Sequence, residues 1–269
     1  MNSNFRNRLL IAAALATAAP LVLTSTTAFA KDGDKQEKHQ DKAEKKAAKE
    51  QTKAAREVAK AVRHESRRLD RAQQLQLIAA QQQRVTQYRT WQQSQLSAAP
   101  QVAAAIQAQK RAAQYAYIMD YNNRLAQQQQ RYATSSFDYN NDPYFSQAPN
   151  YRYQREGQYY TTNQQGANVL QQAVNDGYGE GQRAGRADRQ DGWRADFRSS
   201  YVYQNASYGF NGYYGDRNEY AYYFRQGFER GYQDGYSGRQ QYGSYNNGRA
   251  SIIGTVLNTI LNLQSNNGY

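Results

Sequence analysis

Three carboxylates that could do chemistry lie close together in the sequence: Glu180, Asp188 and Asp191, flanked by Arg183 and Arg189. A pair of acids can divide the work of general acid and general base, so Glu180 with Asp188 or Asp191 is the catalytic arrangement to weigh. On a polar helix the same residues are more commonly tied up in ion pairs, here to Arg183 and Arg189. The only two histidines, His39 and His64, sit in a lysine-rich arm, which argues against a Ser–His–Asp triad or a multi-histidine metal site. Asn175 to Glu180 sets oxygen ligands beside glycines but lacks EF-hand spacing. The nearby glycines recur by four, unlike a phosphate loop or a dinucleotide fingerprint. The expectation is a protein that is not an enzyme and holds no cofactor and no metal.

Charge offers a second kind of chemistry. The formal net charge is +12, yet from Thr134 onward twelve acids balance twelve bases, so the surplus lies in the front half. Lys45, Lys46, Lys49, Lys53, Arg56, Arg63, Arg67, Arg68 and Arg71 are the candidate contacts to an anionic polymer, nucleic acid or acidic polysaccharide. The blander reading of the arm, and the one preferred, is a solvated helix or a partly disordered charged arm.

The elements that would position these residues are two glycine ladders. Gly177, Gly181 and Gly185 recur every fourth residue, and Gly227, Gly231 and Gly235 repeat the pattern fifty residues later. A step of four keeps positions on one helical face, so each triplet cuts a groove. Each interior glycine costs a helix about 1 kcal/mol relative to alanine. Close helix–helix contact must offset that, with an aromatic ridge or another backbone filling the groove; flexible Gly-Tyr turns are the competing reading. Phe224, Phe228, Tyr232 and Tyr236 form such a ridge. Capping-box spacing marks the helix starts at Thr162–Gln165 and Asp216–Glu219, and Gly192 is where the first ladder helix should stop.

Met1 to Ala30 reads as a signal peptide: Arg6 and Arg8, an apolar run from Leu9 to Leu23, and a small-residue site at Ala28-Phe29-Ala30. Cleavage after Ala30 predicts a periplasmic or secreted product starting at Lys31, with no transmembrane span in the mature chain. Cysteine is absent, which removes disulfides and thiolate metal sites.

The fold class expected is mainly α, with a long polar helix and an αα-hairpin or coiled-coil stalk over 31–133. An irregular linker over 134–161, a small Gly/Tyr-rich helical domain with irregular loops over 162–263, and a disordered tail over 264–269 complete the chain. Within the stalk, the first helix, if continuous from Asp34 to Leu96, would be roughly 90 Å long at 1.5 Å per residue. It would break at Pro100, and a second helix would run from Val102 to Leu125. The low-complexity glutamine tracts specify nothing. Trp193, Phe197 and the tyrosines between the ladders are expected in the core rather than as a stacking surface for sugars or bases. Gln240 to Gly248 reads as a loop. The apolar stretch Ile252 to Leu263 should dock on the ladder domain or pair with a second copy.

The run from Gly177 to Gly192, followed by Tyr223 to Tyr236, resembles a pattern in uncharacterised exported bacterial proteins with a Tyr/Gly-rich repeated module. The resemblance implies export and a ladder module that acts as a unit; it carries over no catalytic residues. The function expected is an exported, non-enzymatic structural or interaction protein that self-associates through helices, with no small-molecule substrate implied.

Overall fold

The computed structural model describes residues 33–65, 68–246 and 249–265. Residues 1–30, expected as a signal peptide, and residues 266–269 of the expected tail lie outside them. The chain divides into two units, the first ending at Val58 and the second beginning at Ala59. In the first unit the chain is helical from Gly33, as part of α1 (Gly33–Glu65). The side chains described from Lys45 onward are exposed, as expected of a solvated, alanine-rich helix.

The second unit is mainly α. The long helix expected from Asp34 to Leu96 is interrupted, and the reason is local. Asp70 accepts from the backbone of Gln73 at 2.8 Å, and the Gln73 side chain returns a bond to the Asp70 amide. This capping box starts a new helix, α2 (Arg71–Ala108). Pro100 does not end it; the proline lies inside α2. It removes one backbone donor, while Ala99, Ala103 and Ile106 around it are buried and hold the helix against the core. The turn comes later, at Gln109 to Arg111, where Lys110 takes a φ of 58°. The expected second helix is therefore divided, with Val102 to Ala108 in α2 and the rest in α3 (Ala112–Thr134).

This hairpin is no stalk apart from the ladders. Tyr88, Ile106, Tyr117, Ile118, Tyr121 and Leu125 share one core with Leu170, Val174, Tyr178, Phe224, Phe228 and Tyr232. The glutamines that looked uninformative help close it. Gln81, fully buried, donates to the carbonyls of Gly212 at 2.7 Å and Gly215 at 2.9 Å, satisfying a glycine-rich loop that lies over α2.

The expected irregular linker contains structure of its own. A short helix, α4 (Pro143–Ser146), precedes a hairpin of β1 (Tyr151–Arg155) and β2 (Gln158–Thr162). Arg155 pairs with Gln158, so Glu156 and Gly157 form the two-residue turn with φ of 52° and 80°. Positive φ at both positions matches the twist of the strands. The tail adds a third strand, β5 (Gln264–Ser265), paired to β1, so the first two tail residues are ordered.

α5 (Gln164–Gln190) starts at Asn163, one residue after the expected Thr162, because the Asn163 carboxamide accepts from Gly166 at 3.0 Å. It ends at Gly192 as expected. Trp193 bonds back to Asp188 and Gly192 to Arg189, the paired bonds of a Schellman stop. A 3₁₀ turn (Phe197–Ser199) and α6 (Tyr201–Asn205) lead to α7 (Arg217–Ser237). Asp216 caps α7, but Glu219 completes no box; it meets the hydroxyl of Tyr153 instead.

The expected loop 240–248 includes β3 (Gly243–Asn246), which pairs with β4 (Arg249–Ile252). The apolar end of the chain forms α8 (Gly254–Leu261), which docks on the ladder unit through a fully buried Leu261. Of the aromatic residues between the ladders, Phe210 and Tyr213 are buried, while Trp193, Phe197, Tyr201 and Tyr208 are half-buried.

Candidate functional site

The ladders meet. A Cβ added at Gly177, Gly181 or Gly185 would fall well under 3.0 Å from the carbonyl oxygens of Phe224, Phe228 and Tyr232 respectively. The reciprocal contacts are Gly227 on Val174, Gly231 on Tyr178 and Gly235 on Gln182. Each glycine thus faces the residue three before its counterpart in the other ladder. The two helices run parallel and in register, related by an approximate two-fold axis along the seam. Backbone fills the groove, a spacing that brings Cα–H groups onto carbonyl oxygens. The ring ridge Phe224, Phe228, Tyr232 and Tyr236 stacks alongside at centroid distances of 6.2, 6.4 and 6.0 Å.

The same symmetry extends to the acids. Tyr178 donates to Asp234 at 2.8 Å, Tyr220 to Asp176 at 2.9 Å and Tyr232 to Asp188 at 2.6 Å. In all three, the hydroxyl crosses to the acid six residues beyond its own counterpart on the other helix. Burial pushes all three tyrosine hydroxyls up, so they keep their protons and serve as donors. Asp234 also accepts from the amides of Gln241 and Tyr242, both at 2.9 Å, and so holds the chain entering β3.

The candidate catalytic acids are drawn to three different partners. Glu180, fully buried, is held by Arg124 through Nη1 at 2.5 Å and Nη2 at 3.1 Å, and by Arg183 at 2.6 Å. The hydroxyl of Tyr117 adds a longer bond at 3.3 Å. Asp188 pairs with Arg111, and not with Arg189 as the sequence suggested. Asp191 accepts from the amides of Ala113 and Gln114, both at 2.8 Å, and so caps α3 from outside that helix. Arg111, Arg124 and Tyr117 lie on or beside α3, more than fifty residues from the acids they hold; no local sequence signal announces such pairs. Asn175, Asp176 and Glu180 do not converge on a cation site. Asn175 accepts from the Ile252 amide at 3.2 Å, and the two acids are engaged as above.

Asp176 makes the seam sensitive to pH. Burial raises its carboxyl to about 6, with the bonds from Tyr220 and Gln172 working the other way. Its folded pKa lies above its unfolded one. The ionised carboxylate therefore weighs against the fold above pH 6, and the cost is relieved as pH falls toward 4. Asp176→Asn should gain most over wild type at pH 8 and least at pH 5, read as the difference in melting temperature. A difference constant across that range would refute the assignment.

The basic candidates divide. Lys45, Lys46, Lys49, Lys53 and Arg56 are exposed along α1. Arg68 and Arg71 are exposed in the second unit, where Arg71 donates to Gln74 and Asn140. The Arg63 side chain and Arg67 lie outside the described residues.

The chain matches no family model, no curated protein and no solved structure. Among the described residues no helix is long and apolar enough to cross a membrane, and no three acids or histidines are grouped to hold a metal ion.

Proposed function

We propose that the protein is an exported, non-enzymatic structural or interaction protein of the cell envelope or extracellular space. What supports the reading is the engagement of the ladder carboxylates. Asp176, Glu180, Asp188 and Asp234 each accept from a tyrosine and from at least one further donor. Carboxylates held in this way fix helices to one another, and their lone pairs are taken up by the protein's own donors. For export the support is the leader-like sequence from Arg6 to Ala30. The N-terminus of the product released by a bacterial host should read Lys31. Recovery of the intact Met1 chain from the cytosol alone would overturn the proposal.

A second reading has an observation of its own. At 3.6 residues per turn, Lys42, Lys45, Lys46, Lys49, Lys53 and Arg56 fall within a sector of about 100° on α1. A stripe of that kind suits a linear polyanion. Retention on heparin or duplex DNA should fall steeply with salt, and alanine at Lys45, Lys46, Lys49 and Lys53 should abolish it. No retention even at low salt would eliminate this reading.

A further inference from the structure

The β1–β2 hairpin leaves one edge open. Arg155 and Gln158 flank the two-residue turn and exchange backbone bonds, and in such a ladder every second residue turns its amide and carbonyl the other way. On β2 those residues are Tyr159 and Thr161. Both are exposed, and their outward backbone groups bond to nothing among the described residues. An edge strand is commonly defended by lysine, proline or a bulge. β2 reads Gln-Tyr-Tyr-Thr-Thr, pairs with β1 in unbroken register at all five positions, and has none of these. Tyr159 is 53% exposed, and every other aromatic side chain described is buried or half-buried.

The strand fits a copy of itself. With β2 set antiparallel to β2 about a two-fold axis at Tyr160, Tyr159 meets the partner's Thr161 and Thr161 meets the partner's Tyr159. Each of these pairs exchanges both backbone bonds, and the two Tyr160 residues form the closer, non-bonded pair between them. Tyr160 stacks on Tyr153 at a centroid distance of 5.7 Å, with the Arg155 guanidinium carbon 5.2 Å from its ring centroid, so the rings of two copies would form one row. No charge in β2 opposes the pairing, and the charge beyond it is complementary. The same register sets Glu156 opposite the partner's Gln164, the first residue of α5. Glu156 is exposed and makes no ion pair among the described residues, while the first turn of α5, the positive end of a 27-residue helix, holds no acid of its own. We propose that the protein self-associates by antiparallel pairing of β2 with β2 of a second copy, extending the three-stranded sheet to six strands in the order β5-β1-β2-β2-β1-β5. This pairing supplies a partner for the interaction protein proposed above but is independent of export, so failure of either leaves the other standing.

Sedimentation equilibrium on the full chain should show monomer and dimer in exchange with a Kd of about 10–100 µM, as suits a small interface. Thr161→Pro removes an outward amide and spares the β1–β2 bonds. It should weaken dimerisation about 10-fold or more, with the melting temperature of the dilute chain unchanged. The register is read separately, since the chain has no cysteine. Tyr160→Cys places two thiols across the axis at disulfide distance, whereas Glu156→Cys places a more exposed pair roughly 25 Å apart at 3.3 Å per residue. Air oxidation should crosslink the first at least about 5-fold more than the second, and this ratio alone decides if Thr161→Pro lowers the melting temperature. Equal crosslinking, or a dimer that Thr161→Pro leaves intact, would place the contact elsewhere on the chain and overturn the proposal. A chain still monomeric at about 500 µM would overturn it too, leaving the edge to a strand of another protein or to water.

Discussion

Gly231→Ala is expected to lower the melting temperature by about 10 °C or more. The added methyl would lie well inside contact distance of the Tyr178 carbonyl oxygen. A backbone group cannot swing aside as a side chain does, so the two helices must part over several turns. Overpacking typically costs about 1–3 kcal/mol, and a clash with backbone in a two-helix seam should exceed it, at about 4 kcal/mol. For a unit of this size that corresponds to the stated shift. Gly179→Ala supplies the opposite result from the same helix family. A Cβ at Gly179 meets nothing within 4 Å, so alanine there should raise stability by up to about 1 kcal/mol through helix propensity. If both substitutions moved the melting curve alike, the seam would not be what holds α5 to α7.

The second large effect concerns Glu180, whose two arginines should prove very unequal. The Arg124 side chain is 22% exposed and that of Arg183 is 45% exposed, against a fully buried carboxylate. Arg124→Met should cost about 3 kcal/mol or more, because it strips the two-pronged bond from a buried charge. Arg183→Met should cost under about 1 kcal/mol, since that partner is twice as exposed to water and contributes a single bond. Urea titration of both variants reads the difference directly. Equal losses would mean that Glu180 is stabilised by something other than the fork from α3.

The ladders were legible in the sequence because glycine at every fourth place admits few helical explanations, and the cap at Asp216 and the stop at Gly192 follow from local chemistry. The α2–α3 hairpin was harder to place. Its buried face uses Gln81, Gln92, Gln114 and Gln128, residues whose periodicity looks solvated until distant partners appear, as the Gly212 and Gly215 carbonyls do for Gln81. The start of α2 is written in Asp70 and Gln73, a capping pair less conspicuous in sequence than Pro100. The β1–β2 hairpin hid behind a Glu-Gly turn, since glutamate at positive φ is a weak signal beside asparagine. The acids were visible as a cluster; their distant cations were not, because a partner more than fifty positions away leaves no mark on local spacing.

Parallel pairing in register also dictates a sequence of events. Synthesis delivers the chain from its amino end, so the first triplet is finished fifty positions before the second exists. With Gly177, Gly179, Gly181 and Gly185 in it, that early segment has little reason to coil alone. It stays open until residues as late as Gly235 arrive, and a nascent chain interrupted anywhere in between is left as bait for proteases and chaperones.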